Sequence, residues 1–155
     1  MMNFHSIAEI LRFAMARENA SRRFYMDLSR AVTNPGTQAI FEALSQAETR
    51  QQEAIRLELF KIGATVSSPA ETQETTPPSE PLELNRRDRE MTTLEALRLA
   101  MRKQKASFQM FAELMAHTDN PEACEILYGL AEQEMRHMLQ LEKEYKALSP
   151  HRDKS

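Results

Sequence analysis

Apolar residues recur at alternating steps of three and four along four stretches of the chain, and polar residues interrupt each stripe near its middle. Steps of three and four keep side chains on one face of an α-helix. The first stripe reads Ile7, Leu11, Ala14, Glu18, Ser21, Tyr25, Leu28. Ser6 and Glu9 stand before it with the spacing of a capping box, so the pattern predicts a helix over 7–31. Asn34-Pro35-Gly36 breaks that helix, and the short connection turns the next one back antiparallel. The second stripe reads Phe41, Leu44, Glu48, Gln51, Ile55, Leu59, Ile62, with Gly63 placed to end the helix. The third follows a second capping-box pair, Thr92 and Glu95, and reads Leu94, Leu97, Met101, Gln104, Phe108, Phe111, Met115. Asn120 then has the character of an N-cap and Pro121 that of a first helical residue. The fourth helix is expected over 121–148, with Leu127, Leu130, Glu134, His137, Leu141 and Leu148 on its inner stripe.

Between the second and third stripes, residues 64–90 carry Pro69, Pro77, Pro78 and Pro81 among Ser, Thr and Glu, without apolar period. That composition reads as an extended connector, long enough to run the length of a helix. The expected organisation is a single domain over 1–155: a helical hairpin at 6–63, the linker at 64–90, and a second hairpin at 91–149. The hairpins repeat each other. Ser6 and Thr92, Glu9 and Glu95, Ser21 and Ser107, Asn34 and Asn120, Pro35 and Pro121, Leu44 and Leu130, and Glu48 and Glu134 are all 86 positions apart. A shared offset through caps, turn and seam indicates an internal duplication. Two such hairpins joined by a long crossover make an all-α four-helix bundle, with the second and third helices parallel.

The pseudo-twofold relation gathers the mid-stripe polar residues in the core: Glu18, Glu48, Gln51, Gln104, Glu134 and His137. A carboxylate and an imidazole three apart on a helix, as in Glu134 and His137, can grip one metal ion. A buried carboxylate with no partner is strongly unfavourable, so the cluster calls for metal or for mutual pairing. Three carboxylates and one His suit a single divalent ion of iron, manganese or zinc. Two such ions would leave one excess positive charge.

Composition narrows the rest. With a formal net charge of −3 and mixed charges, nothing points to nucleic acid or a membrane surface. No apolar run approaches the roughly 18 residues of a membrane span. Met1 to Arg12 lacks the layout of a secretory signal, so a cytoplasmic location is expected. Cys124, the only cysteine, excludes an internal disulfide and reads as a small buried or half-buried residue. The ten Met are accounted for as helix formers and core fillers.

The stretches Ala14-Met15-Ala16-Arg17-Glu18 through Phe24-Tyr25, Phe41-Glu42-Ala43-Leu44 through Glu48, and Leu130 through His137 resemble the rubrerythrin family of the ferritin-like superfamily. The resemblance covers nearly all of the chain outside the linker and tail. It implies a ferritin-like bundle whose first and third helices each carry a Glu and whose second and fourth each carry Glu-x-x-His. These ligands hold two irons that react with dioxygen or peroxide. Glu18, Glu48, Glu134 and His137 match that pattern. Gln51 stands where a His is expected and Gln104 where a Glu is expected, which leaves both as weaker ligands. In the family arrangement Glu48 and Glu134 bridge the metals while Glu18 and His137 are terminal. The resemblance further implies an oxidoreductase of ferroxidase or peroxidase type, a homodimer, and an external electron-donor protein, since the chain lacks the paired cysteines of a rubredoxin-type relay. No catalytic residue is assigned.

The competing reading is a metal-free structural or protein-interaction bundle. In it the cluster is a buried hydrogen-bond network, with Arg17, Arg50 or Arg136 reaching in from beside the seam. Tyr25 is expected as an amphipathic core residue within reach of the cluster. Lys103 and Lys105 are expected to point to solvent, and His5, His117 and His151 to be solvated.

Overall fold

A computed structural model describes residues 6–63 and 92–149. The expected connector over 64–90, His5 and His151 lie outside the described residues.

The described chain forms four helices: α1 (Ile7–Ala31), α2 (Pro35–Lys61), α3 (Thr93–Ala116) and α4 (Pro121–Leu148). Their starts follow from local chemistry. The Ser6 hydroxyl accepts from the Glu9 amide at 3.2 Å. Asn34 and Asn120 cap α2 and α4 by accepting from the Thr37 and Ala123 amides at 3.0 and 2.9 Å. A proline at the first helical position of each loses no helical hydrogen bond. Thr92 and Glu95 form a complete capping box, with bonds of 2.8 and 3.1 Å in the two directions. At the end of α2, Gly63 takes φ 75°, a left-handed backbone that suits glycine.

The helices are a four-helix bundle of two hairpins, α1 with α2 and α3 with α4, and the close helix–helix packing is within each hairpin. The apolar core is in two parts. One gathers Leu11, Met15, Leu59, Phe111 and Leu127. The other gathers Tyr25, Leu28, Phe41, Leu97 and Leu141. On every helix buried polar residues lie between these two sets, among them Glu18 and Ser21, Glu48 and Gln52, Lys103, Gln104 and Ser107, and Glu134 and His137. A polar layer is thus held between two apolar clusters, each burying large side chains that fix its position.

Three expectations change. Gln51 is half-buried, and its neighbour Gln52 takes the inner position at 7% exposure. At 3.6 residues per turn Gln52 lies about 20° from Phe41 around the helix, and Gln51 about 80°. Ile62 and Leu148, placed on inner stripes, are exposed. Lys103, expected in solvent, is 2% exposed. Its stem packs inward because two hydroxyls wait for the ammonium.

Candidate metal centre

Glu48 on α2 and Glu134 on α4 are fully buried, and His137 lies one turn beyond Glu134. Each of the three offers a ligand atom within 4.8 Å of the others. His137 Nδ1 stands 3.8 Å from Glu48 Oε2 and 4.0 Å from Glu134 Oε1. Both separations exceed a hydrogen bond. They suit two atoms bound to a common ion, since ligands at about 2.0–2.2 Å from a metal stand about 3–4 Å from each other. Glu18 on α1 completes the carboxylate set: its side chain meets those of Glu48 and Glu134.

The two glutamines do different things. Gln104 donates from Nε2 to Glu134 Oε1 at 2.6 Å and to the Glu134 carbonyl at 3.0 Å. Its own oxygen accepts from the hydroxyl of Tyr25. Gln104 therefore orients Glu134. Gln51 lines a cleft of about 310 Å³ between α2 and α4, together with Ile55, Gly129, Leu130 and Gln133.

Burial governs the ionisation of the layer. It pushes Glu134 up to about 8, with the charge of Glu48 adding to the rise and Lys103 and the Gln104 hydrogen bond opposing it. Glu18 is raised well above the usual carboxylate range, first by burial and then by the charges of Glu48 and Glu134. His137 is lowered by burial, which favours the neutral imidazole that a metal requires. Tyr25 is raised by burial and by the nearby carboxylates, so it remains a hydroxyl donor.

Two buried atoms decide whether these residues fit a cation. Glu134 Oε2 and His137 Nδ1 make no hydrogen bond. Leaving a buried acceptor unsatisfied costs about 1–3 kcal/mol. Both atoms belong to the triad and both carry lone pairs. The residues present fit a divalent ion: imidazole and carboxylates are its ordinary ligands.

The pattern of stripes reached Glu18, Glu48, Gln104, Glu134 and His137, which the structure buries in one layer. It missed Lys103, Gln52 and the part played by the serine pair. Lys103 donates to Ser21 and Ser107. The duplication carried a signal for this, since Arg17 and Lys103 are themselves 86 apart. Arg17 is buried as well, whereas Arg50, Arg136 and Lys105 are exposed. Cys124 is half-buried, as expected, and faces the Met115 and Thr118 carbonyls at 3.7 and 3.6 Å. His117 is exposed, with Nδ1 2.9 Å from the Glu113 carbonyl. No helix among the described residues is long and apolar enough to cross a membrane.

A duplicated four-helix bundle with carboxylates and a histidine converging in its core defines a ferritin-like protein. The chain belongs to the rubrerythrin family, whose model matches residues 9–145. Solved structures share the fold. An uncharacterized conserved protein from Magnetospirillum magnetotacticum MS-1 is 20% identical with a TM-score of 0.74, the match covering 92% of this chain and 95% of that one. A conserved hypothetical protein from Mycobacterium tuberculosis is 14% identical with a TM-score of 0.64, covering 91% and 98%. A hypothetical protein from Pyrococcus furiosus is 19% identical with a TM-score of 0.64, covering 91% and 89%. No curated protein matches the chain.

Proposed function

We propose that the chain is a metal-binding member of its family, with iron as the preferred metal, and that Glu48, Glu134 and His137 hold the ion with Glu18 as a further ligand. One observation carries this reading: the unsatisfied Glu134 Oε2 and His137 Nδ1 converge with Glu48 in a buried layer. Bound iron supplies redox chemistry toward dioxygen or peroxide. The chain's own residues supply the rest. Gln104 fixes one oxygen of Glu134 and leaves the other free to turn toward the ion. Tyr25 holds Gln104 in turn. The two apolar clusters exclude water on either side, which strengthens attraction between carboxylates and cation.

Sustained turnover would draw electrons from a separate protein. Exposed Tyr128, Met135 and Leu139 on the outer face of α4 support a protein-facing surface, for that donor or for a second copy of the chain.

A metal-free structural bundle is the second reading, and buried Lys103 favours it by bringing a positive charge of its own into the layer. Elemental analysis separates the two. Protein purified without chelator and reloaded anaerobically with ferrous iron should retain at least about one ion per chain, and Glu134→Ala/His137→Ala should retain none. Equal metal in the two samples, or none in either, contradicts the metal reading.

A further inference from the structure

Lys103 is a deeply buried cation with no part in holding the metal. Its Nζ donates to Ser21 Oγ on α1 and to Ser107 Oγ on α3, the latter at 2.8 Å. Those serines are equivalent positions of the duplication, so the ammonium sits where the two halves meet. Ser21 lies three residues beyond Glu18, about one turn, and Lys103 adjoins Gln104. The ammonium is therefore within about a turn of the carboxylate layer.

Hydroxyls solvate an ammonium but do not neutralise it. A lysine at this depth needs carboxylates nearby. Among the described residues, the buried carboxylates are Glu18, Glu48 and Glu134. The electrostatics agree in direction: the charge of Lys103 opposes the rise of Glu18 and Glu134 and disfavours a proton on His137. Arg17, the counterpart of Lys103 in the first half, is buried too and does not lack a partner.

We propose that Lys103, held between Ser21 and Ser107, is a built-in counter-cation of the carboxylate cluster and takes over the charge-balancing role of a second metal ion, so that the site holds one divalent cation. Three carboxylates and one ammonium sum to two negative charges. One divalent ion neutralises them. A second would leave two positive charges in a low-dielectric interior. The stoichiometry rests on the metal reading above; the counter-ion role of Lys103 does not.

The test compares the full chain with Lys103→Met, Glu48→Gln and the double variant, using Mn²⁺ as the probe. Met keeps the length and packing of the lysine stem and removes its charge. In the metal-free proteins, Lys103→Met should lower Tm by about 5 °C or more. Adding Glu48→Gln to it should raise Tm again, because one charge of each sign is then gone. If Lys103→Met alone does not fold, a folded double variant is the same result. An unchanged Tm in Lys103→Met overturns the proposal. So does a further fall on adding Glu48→Gln, or a double variant that does not fold. In Mn²⁺ titrations the wild type should take one ion per chain. Lys103→Met should bind roughly tenfold more tightly or take a second ion. Two ions in the wild type overturn the proposal and leave the metal reading intact. No ion in the wild type overturns the metal reading and, with it, the stoichiometry, while the Tm series still decides whether Lys103 is a counter-ion.

Discussion

The two hairpins share one backbone plan and differ where the chemistry is. The capping residues correspond across the duplication, and so do the carboxylates Glu48 and Glu134. Glu18 in the first hairpin is answered by Gln104 in the second, and His137 in the second is answered by Gln51 in the first. Each hairpin therefore keeps two of the three ligand-type residues that a symmetrical site would need: Glu18 and Glu48 in the first, Glu134 and His137 in the second. The divergence also has direction. Gln104 hydrogen-bonds Glu134, whereas Gln51 lines a cleft between α2 and α4. A duplicated scaffold can keep its fold symmetric while its site becomes one-sided, because folding depends on caps and seams and metal binding on a few side chains.

The largest effect should come from the side that kept its histidine. His137→Ala should lower Mn²⁺ or Fe²⁺ affinity by roughly a hundredfold or more, while Gln51→Ala should change it little. Similar losses in both, measured by titration calorimetry, would mean that the halves contribute equally. Next in size is Gln104→Leu, which breaks the hold on Glu134. Metal affinity should fall by about 10–100-fold, the usual cost of losing a group that orients a ligand. The metal-free protein should also lose stability, since Tyr25 and Glu134 lose their partner. Unaltered affinity with lower stability would make Gln104 purely structural.

The reach of the sequence follows from these differences. Helix starts were legible because each is set by two or three adjacent residues, as at Asn34-Pro35 and Thr92 with Glu95. Glu48, Glu134 and His137 were legible because a charged or titratable group in an apolar seam demands a partner. Lys103 was not. It sits one place off the seam, and a long aliphatic stem beside a polar position ordinarily carries its charge to water. Only the serine pair that receives it, four residues away on α3 and across the bundle on α1, turns it inward. Gln51 and Gln52 could not be told apart by steps of three and four alone, since that spacing drifts about 20° per heptad against a 3.6-residue turn.

The pH response should be intermediate in size and opposite in sign for the metal-free and metal-bound forms. Glu134 and Glu18 are raised in the folded chain, so the stability they contribute is complete below their unfolded values. For Glu134 it is lost as pH climbs through about 8. His137 is lowered, so its contribution is present above its ordinary value of 6.5 and lost as pH falls below that. Above pH 6.5 only the carboxylate effect remains, and the metal-free Tm should fall between there and pH 8. Metal affinity should rise over the same interval, because the ion displaces protons: calorimetry in buffers of different ionisation heat should show about one to two released per ion. A metal-free Tm that rises with pH over this range would contradict the ionisation assigned to the layer.

The smallest effect belongs to Tyr25→Phe. Loss of its hydroxyl leaves Gln104 Oε1 without that donor and should destabilise the chain by about 1–2 kcal/mol in urea unfolding. Metal affinity should fall only a few-fold, because Gln104 still donates to Glu134. A loss as large as that of Gln104→Leu would place Tyr25 alongside Gln104 in orienting the ligand.

The most direct test of the central claim is anomalous diffraction from crystals grown with Mn²⁺. One strong peak per chain should lie about 2.0–2.3 Å from His137 Nδ1, with Glu48 and Glu134 oxygens around it and no second peak on the Gln51 side. No peak in the buried layer, with ions only at surface carboxylates, would contradict it.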